Sequence, residues 1–262
     1  MGKITIYEDK LIYQRRDELT ILEPYGPNCI RCRSTKNSKI SDENWTLLPP
    51  KAGAEYSITG DESVAEITNG MVKVKLEAGN IWYGGIINFY RKDEHILHTK
   101  YEGHYTGRNV HREGDHYQVK VIFDAHEGEH FYGLGQEQED QFDRKGSTVN
   151  LEHYNTKSAV PVYYSSMGYG FLWNSPAPGR CETTNNHTMW VSASAYQIFL
   201  YMQQRRLRKC LEYMLTLPDM HRSSRIGLQG SGRAGCGTRL RMSLWMLQGN
   251  IRKEGFLLRL LL

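Results

Sequence analysis

No run of about eighteen apolar residues occurs in this 262-residue chain, so no segment reads as a membrane-spanning helix. The first residues lack the basic start and apolar stretch of a secretory leader, and a cytoplasmic protein is the expectation that follows. Cysteines number five, an odd count without regular spacing, which favours reduced thiols over a disulfide framework. Helical stripes are missing from residues 1–198, and no internal repeat is visible. Acidic residues are scarce in the last part. From residue 199 onward 12 Lys/Arg face 3 Asp/Glu, a balance of +9, whereas residues 1–198 carry 21 against 26, or −5. The net charge of +4 therefore joins two unlike compositions.

What is present before residue 198 is period two. "MVKVKLE" alternates Val72, Val74 and Leu76 with Lys73 and Lys75, and "HYQVKVIFD" sets Tyr117, Val119, Val121 and Phe123 on one face. Alternation of this kind marks half-buried strands. Turn signals such as "TNG", "EAGN", "REGD" and "PAPG" recur at short intervals. The fold class expected is mainly β, an antiparallel β-sandwich. After residue 198 the alternation stops, and a Gly/Ser/Arg-rich stretch over 223–241 resembles a linker or a nucleic-acid tail.

Several motifs invite a chemical reading. "HEGEH", His126 to His130, fits the HExxH pattern of zinc proteases. That pattern joins two imidazoles only on a helix, where residues four apart share a face. Here it follows a strand pattern and carries Gly128 at its centre, so a polar turn between strands is expected and no metal site. Cys29 and Cys32 form a single CxxC without a second pair to complete four ligands. "GLGQEQ", residues 133–138, lacks the third glycine of a dinucleotide loop and reads as a turn. Glu137, Glu139, Asp140 and Asp143 could supply an acid and a base, although clustered charges on a loop are usually solvated.

A longer pattern carries more. "EHFYGLGQEQEDQFDRKGSTVNLEHYNTKSAVPVYYSSMGYGFLWNSP" resembles a segment of glycoside hydrolase family 31, the α-glucosidases and α-xylosidases. The "FYGLG" turn at Phe131–Gly135, the "D.RG" element at Asp143–Gly146 and the strand pair over Pro161–Pro176 occur in the family's order. "LTILEPYGPNCIRCR" is similar to the family's first strands. The resemblance implies that residues 1–198 are the N-terminal, galactose-mutarotase-like sandwich that packs beside a (β/α)₈ barrel. That barrel would carry the nucleophile and the acid of a retaining reaction on an α-linked oligosaccharide. Neither carboxylate has a counterpart here, so the resemblance implies no catalytic residue in this chain, no cofactor and no metal, with the barrel as packing partner. It also implies a loop at the barrel mouth, placed by position at "HYNTKS". Asn155, with Tyr154 and His153, is the candidate substrate contact there, and a plain solvent-exposed turn is the competing reading.

The family's continuation is absent in the frame as read. Yet "QIFLYMQQRRLRKCLEYMLTLPDMH" permits, with each new codon taking the third base of one codon and the first two of the next, "FLIYAAETPEEMLGIYADLTGHA". Further on, "RMSLWMLQGNIRKEGFLL" permits "QDELVDVAREYKERGIPL". Residues 199–262 are accordingly expected to be an out-of-frame translation of the start of the barrel, irregular and poorly packed. Three other readings stay open: a stand-alone carbohydrate-binding sandwich using Trp82, Tyr83, Trp173 and Trp190; a nucleic-acid binder using the basic tail; and a zinc enzyme. The expectation is a chain inactive by itself, with neither nucleic acid nor membrane as partner.

Overall fold

The computed structural model describes residues 2–204, apart from 16–17, 41–46, 48, 50–54, 80–83, 101–107, 114–115, 139–140, 154, 176 and 195, together with Lys209. Among these the strands, in chain order, are β1 (Lys3–Ile6), β2 (Leu11–Arg15), β3 (Glu18–Pro24), β4 (Cys29–Thr35), β5 (Tyr56–Gly60), β6 (Val64–Asn69), β7 (Val72–Glu77), β8 (Ile86–Arg91) and β9 (Glu94–His98). They continue with β10 (Arg108–Glu113), β11 (His116–Asp124), β12 (Phe131–Gln136), β13 (Ser147–Asn150), β14 (Ser158–Ser165), β15 (Tyr169–Trp173), β16 (Gly179–Thr183), β17 (His187–Ser192) and β18 (Tyr196–Gln203). One sheet has eight strands in the order β1-β2-β3-β4-β18-β15-β14-β12, and two have five, β10-β11-β17-β16-β13 and β5-β6-β7-β8-β9. A bridge between Thr99, just past β9, and Phe123 of β11 joins the two smaller sheets. Every strand pairing is antiparallel.

The alternation in the sequence explains the layering. Val72, Val74 and Leu76 of β7 and Val119, Val121 and Phe123 of β11 are buried in one core with Ile30, Cys32, Phe171 and Phe199 of the large sheet. An aromatic chain runs across it: Phe89 lies 6.2 Å from Phe123 and 6.4 Å from Phe199, and Phe171 stacks on Phe199 at 5.0 Å and on Trp190 at 5.3 Å. Each such ring contributes roughly 1.5–3 kcal/mol on burial, so residues from all three sheets are held by one hydrophobic contact set. On the opposite face of the large sheet Cys29, Leu172, Leu200 and Met202 form a second buried cluster with Tyr25, Leu47 and Tyr164.

Three expectations are corrected at this level. First, the last strand does not stop at residue 198: β18 runs to Gln203, between β4 and β15, with Phe199, Leu200, Tyr201 and Met202 fully buried. These four residues are apolar and buried on both faces, which continues the strand. The expectation for residues from 205 on, Lys209 aside, lies outside the described residues. Second, "FYGLGQ" is a strand rather than a turn. Gly133, Leu134 and Gly135 all have positive φ (123°, 66° and 92°), and the β12–β14 register shifts between the two glycines. A Cβ at Gly133 would lie 2.6 Å from the Val162 carbonyl and one at Gly135 would run into that of Ser158, so only glycine permits this bulge. Third, Trp173 and Trp190 stack on each other at 6.0 Å inside the core and are 1% and 0% exposed. They cannot line a sugar groove; Trp82 and Tyr83 lie outside the described residues.

Candidate functional site

The "HEGEH" segment shows how local sequence decides against a metal. It is a turn after β11, with Gly128 at φ 72°, and not a helix. His126 Nε2 meets the carbonyl of Ile96 at 2.5 Å, while His130 Nδ1 meets Asp143 Oδ2 at 2.6 Å. The imidazoles are thus committed to different partners. Between them Glu129, 1% exposed, accepts hydrogen bonds from Ser165 Oγ (2.5 Å), Tyr169 OH (2.8 Å) and its own loop at the His126 amide (3.1 Å). This carboxylate is a structural anchor that the HExxH spacing hides. Its sign in the sequence is a charged residue two positions ahead of β12.

Cys29 and Cys32 are also separated by the fold. Both are buried in β4, but Cys29 belongs to the outer cluster and Cys32 to the core, because residues three apart on a strand face opposite ways. They cannot share a ligand.

The remaining candidates gather beside the bulge of β12. A cleft of about 470 Å³ is lined by Glu137, Gln138, Arg144, Asn150, Asn155 and Lys157, among others. Its floor is set by the "DRKG" element. Asp143 Oδ1 accepts from the amides of Phe131 (3.1 Å) and Lys145 (3.0 Å). Partial burial alone would raise the Asp143 carboxyl, but the His130 ring and these two amides outweigh it and hold the carboxyl below its ordinary range. Arg144, 2% exposed, reaches back to the carbonyls of Gly133 and Gly135 at 3.4 Å each. Its own carbonyl accepts from Ser147 Oγ at 2.6 Å and from Thr183 Oγ1. Above this floor Lys157 Nζ pairs with Glu137 Oε1 at 2.8 Å, both side chains more than four-fifths buried.

The sequence-derived candidates fall unevenly around the cleft. Asn155 is exposed and lines it. Next to it Thr156 has φ 70° and its Oγ1 accepts from Gln138 Nε2 at 2.6 Å, which ties the loop to the other wall. His153 is exposed, and its Nδ1 accepts from the Ala159 amide at 3.3 Å, so this ring nitrogen closes its own loop. Tyr154, Glu139 and Asp140 lie outside the described residues. Of the carboxylate cluster, Glu137 is bound to Lys157 and Asp143 to His130, so the two described members act as anchors. The cleft has the chemistry to receive hydroxyl groups: amides at Gln138, Asn150 and Asn155, with a fixed ion pair alongside. Among the described residues no group of three or more His, Cys, Asp or Glu could hold a metal ion, and no helix is long and apolar enough to cross a membrane.

Comparison with known proteins bears on the fold. The glycosyl hydrolase 31 N-terminal galactose mutarotase-like domain matches residues 18–182. An uncharacterized family 31 glucosidase of Pseudescherichia vulneris is 28% identical over 222 residues, which covers 73% of this chain and 39% of that protein. Alpha-xylosidase A of Aspergillus niger is 27% identical over 197 residues, covering 68% of this chain and 27% of its own length. Among solved structures, a soil-metagenome α-xylosidase complexed with xylose superposes with TM-score 0.75 at 24% identity, over 82% of this chain and 34% of the other. The chain therefore spans about two-fifths or less of the relatives it matches.

Proposed function

The chain belongs to glycoside hydrolase family 31, and from that premise we propose that it carries the N-terminal sandwich of an α-glycosidase acting on α-linked xylosides or glucosides. The cleft at Asn155, Glu137 and Lys157 is the part of the sandwich that meets the sugar, with Asn155 offering an amide donor and acceptor to its hydroxyls. The sandwich supplies binding and not bond cleavage. Retaining hydrolysis needs two carboxyl groups about 5–5.5 Å apart, one attacking the anomeric carbon and one protonating the leaving oxygen. In the cleft Glu137 is held by Lys157, and Asp143 is spent on His130 and two amides.

The observation that carries the reading is the tail. Back-translated and read one base back, residues past about 199 permit the family's continuation, and their +9 balance is what an unselected frame can produce. On this reading residues 199–262 as translated do not form the start of the barrel, and neither catalytic carboxylate lies in the sequence given. The test compares the purified chain with a version in which that frame is restored, using aryl α-xylosides and α-glucosides. Turnover by the restored protein and none by the chain is expected. Turnover that co-purifies with the chain through successive columns would overturn the reading.

A further inference from the structure

Two hairpin turns from different sheets are clasped together by a pair of asparagines. Asn69 ends β6 and, with Gly70 at φ 62° and Met71, leads into β7; Asn28, at φ 54°, lies in the turn between β3 and β4. Asn69 is fully buried, and its Nδ2 donates to the carbonyls of Gly26 and Cys29 at 2.8 Å each. In return Asn28 Oδ1 accepts from the Met71 amide at 2.6 Å, and the Asn28 carbonyl accepts from the Gln203 amide at 3.0 Å. A Cβ on Gly70 would collide with Asn28 Oδ1, so the turns can meet this closely only at a glycine.

Asn69–Gly70 is the only Asn-Gly pair in the chain, and no side chain on Gly70 hinders its amide nitrogen. Once that nitrogen loses its proton it can attack Asn69 Cγ: the N–Cγ bond forms, the Cγ–Nδ2 bond breaks, and the side-chain amide leaves as ammonia. Water then opens the succinimide ring at either of its two carbonyls and leaves aspartate or isoaspartate. In the folded chain this ring cannot close. Asn69 holds the extended backbone of a strand residue paired with Val72, which keeps the Gly70 nitrogen away from Cγ, and turning the side chain over would break both of its donor bonds. We infer that Asn69–Gly70 is a deamidation site gated by unfolding, one that reacts only when the two turns come apart. The reaction is one-way for the fold as well. After it, position 69 sets a carboxylate against the carbonyls of Gly26 and Cys29, and its second oxygen falls where Asn69 Oδ1 has no hydrogen-bond partner among the described residues. A buried charge that faces only acceptors is strongly disfavoured, so a chain that stays unfolded is chemically marked and kept from returning.

The test incubates the whole purified chain at mildly alkaline pH, with and without concentrated urea, and follows residue 69 by peptide mass spectrometry. Conversion in urea is expected, with a native rate slower by at least about tenfold, as for a core group that reacts only through opening. A smaller ratio, or no conversion in urea, would overturn the inference. Diluting a half-converted sample out of urea should leave intact Asn69 in the refolded fraction and the acid forms in the fraction that fails to refold; equal proportions in both would overturn the one-way step. Asn28→Gly keeps the positive φ available and removes the Oδ1 acceptor. It should raise the native conversion rate several-fold, and an unchanged rate would show that the clasp is not the gate. Should that variant not fold, the two measurements on the unaltered chain still decide.

Discussion

At the scale of single residues, the polar groups of this sandwich are fixed points. His98 Nδ1 lies 3.0 Å from Asp124 Oδ2, and the His98 amide donates to Asp124 Oδ1 at 2.9 Å, which fastens the end of β9 to the end of β11. The hydrogen bond that His98 donates to Asp124 raises the His98 pKa above its ordinary 6.5, against partial burial. Asp124 is lowered: burial would raise it, but the His98 ring and amide win. A raised His contributes stability that is full below its unfolded value and fades as pH rises through its folded one. A lowered Asp contributes stability that is present above its unfolded value and fades as pH falls through its folded one. The pair is therefore worth most between about pH 4 and 6.5. His95, lowered chiefly by burial, works the other way, adding stability above its unfolded value that is lost as pH falls. Replacing His98→Gln should remove the decline in melting temperature above about pH 6.5, and a wild-type slope there would refute the assignment. The net effect is small, about 1 kcal/mol or less, because the pair is part-exposed. Glu129 is a stronger anchor. Glu129→Ala orphans two buried hydroxyls and should cost about 3 kcal/mol in urea unfolding, with Glu129→Gln milder; a loss below about 0.5 kcal/mol would show the network to be dispensable.

Among the elements, β12 and β18 show what alternation and punctuation reveal and what they hide. Strands such as β7 were legible because one face is core and the other solvent, so residue type tracks burial position by position. β12 was not, because its two glycines signal a turn in any local reading. Their actual role, letting the backbone cross close to Val162 and Ser158, depends on a strand more than twenty residues away. Gly135→Ala should therefore destabilise by about 1–3 kcal/mol through strain alone, more with the clash at Ser158, and a neutral result in chemical denaturation would contradict the bulge. The end of β18 was hidden for a different reason: Phe199 to Met202 are buried on both faces, so no alternation with polar residues marks them. Phe199→Ala should cost about 3–5 kcal/mol. An unchanged unfolding midpoint would place residue 199 outside the fold. The cleft was half legible. Asn155 could be placed by its position between recognisable strands, whereas the Glu137–Lys157 pair joins residues whose closeness only the folded loop creates.

For the whole molecule, one hydrophobic core draws together residues of all three sheets, so the described part of the chain has a core of its own. The reading of residues past about 199 turns on the nucleotide sequence. The most direct measurement is to sequence the encoding DNA at high coverage across codons 190–262 and well beyond, and to translate the frame one base back. The account predicts an open frame continuing into a family 31 barrel with its two carboxylates. A frame closed by stop codons, or one unrelated to the family, would contradict it and make the basic tail a genuine part of the protein.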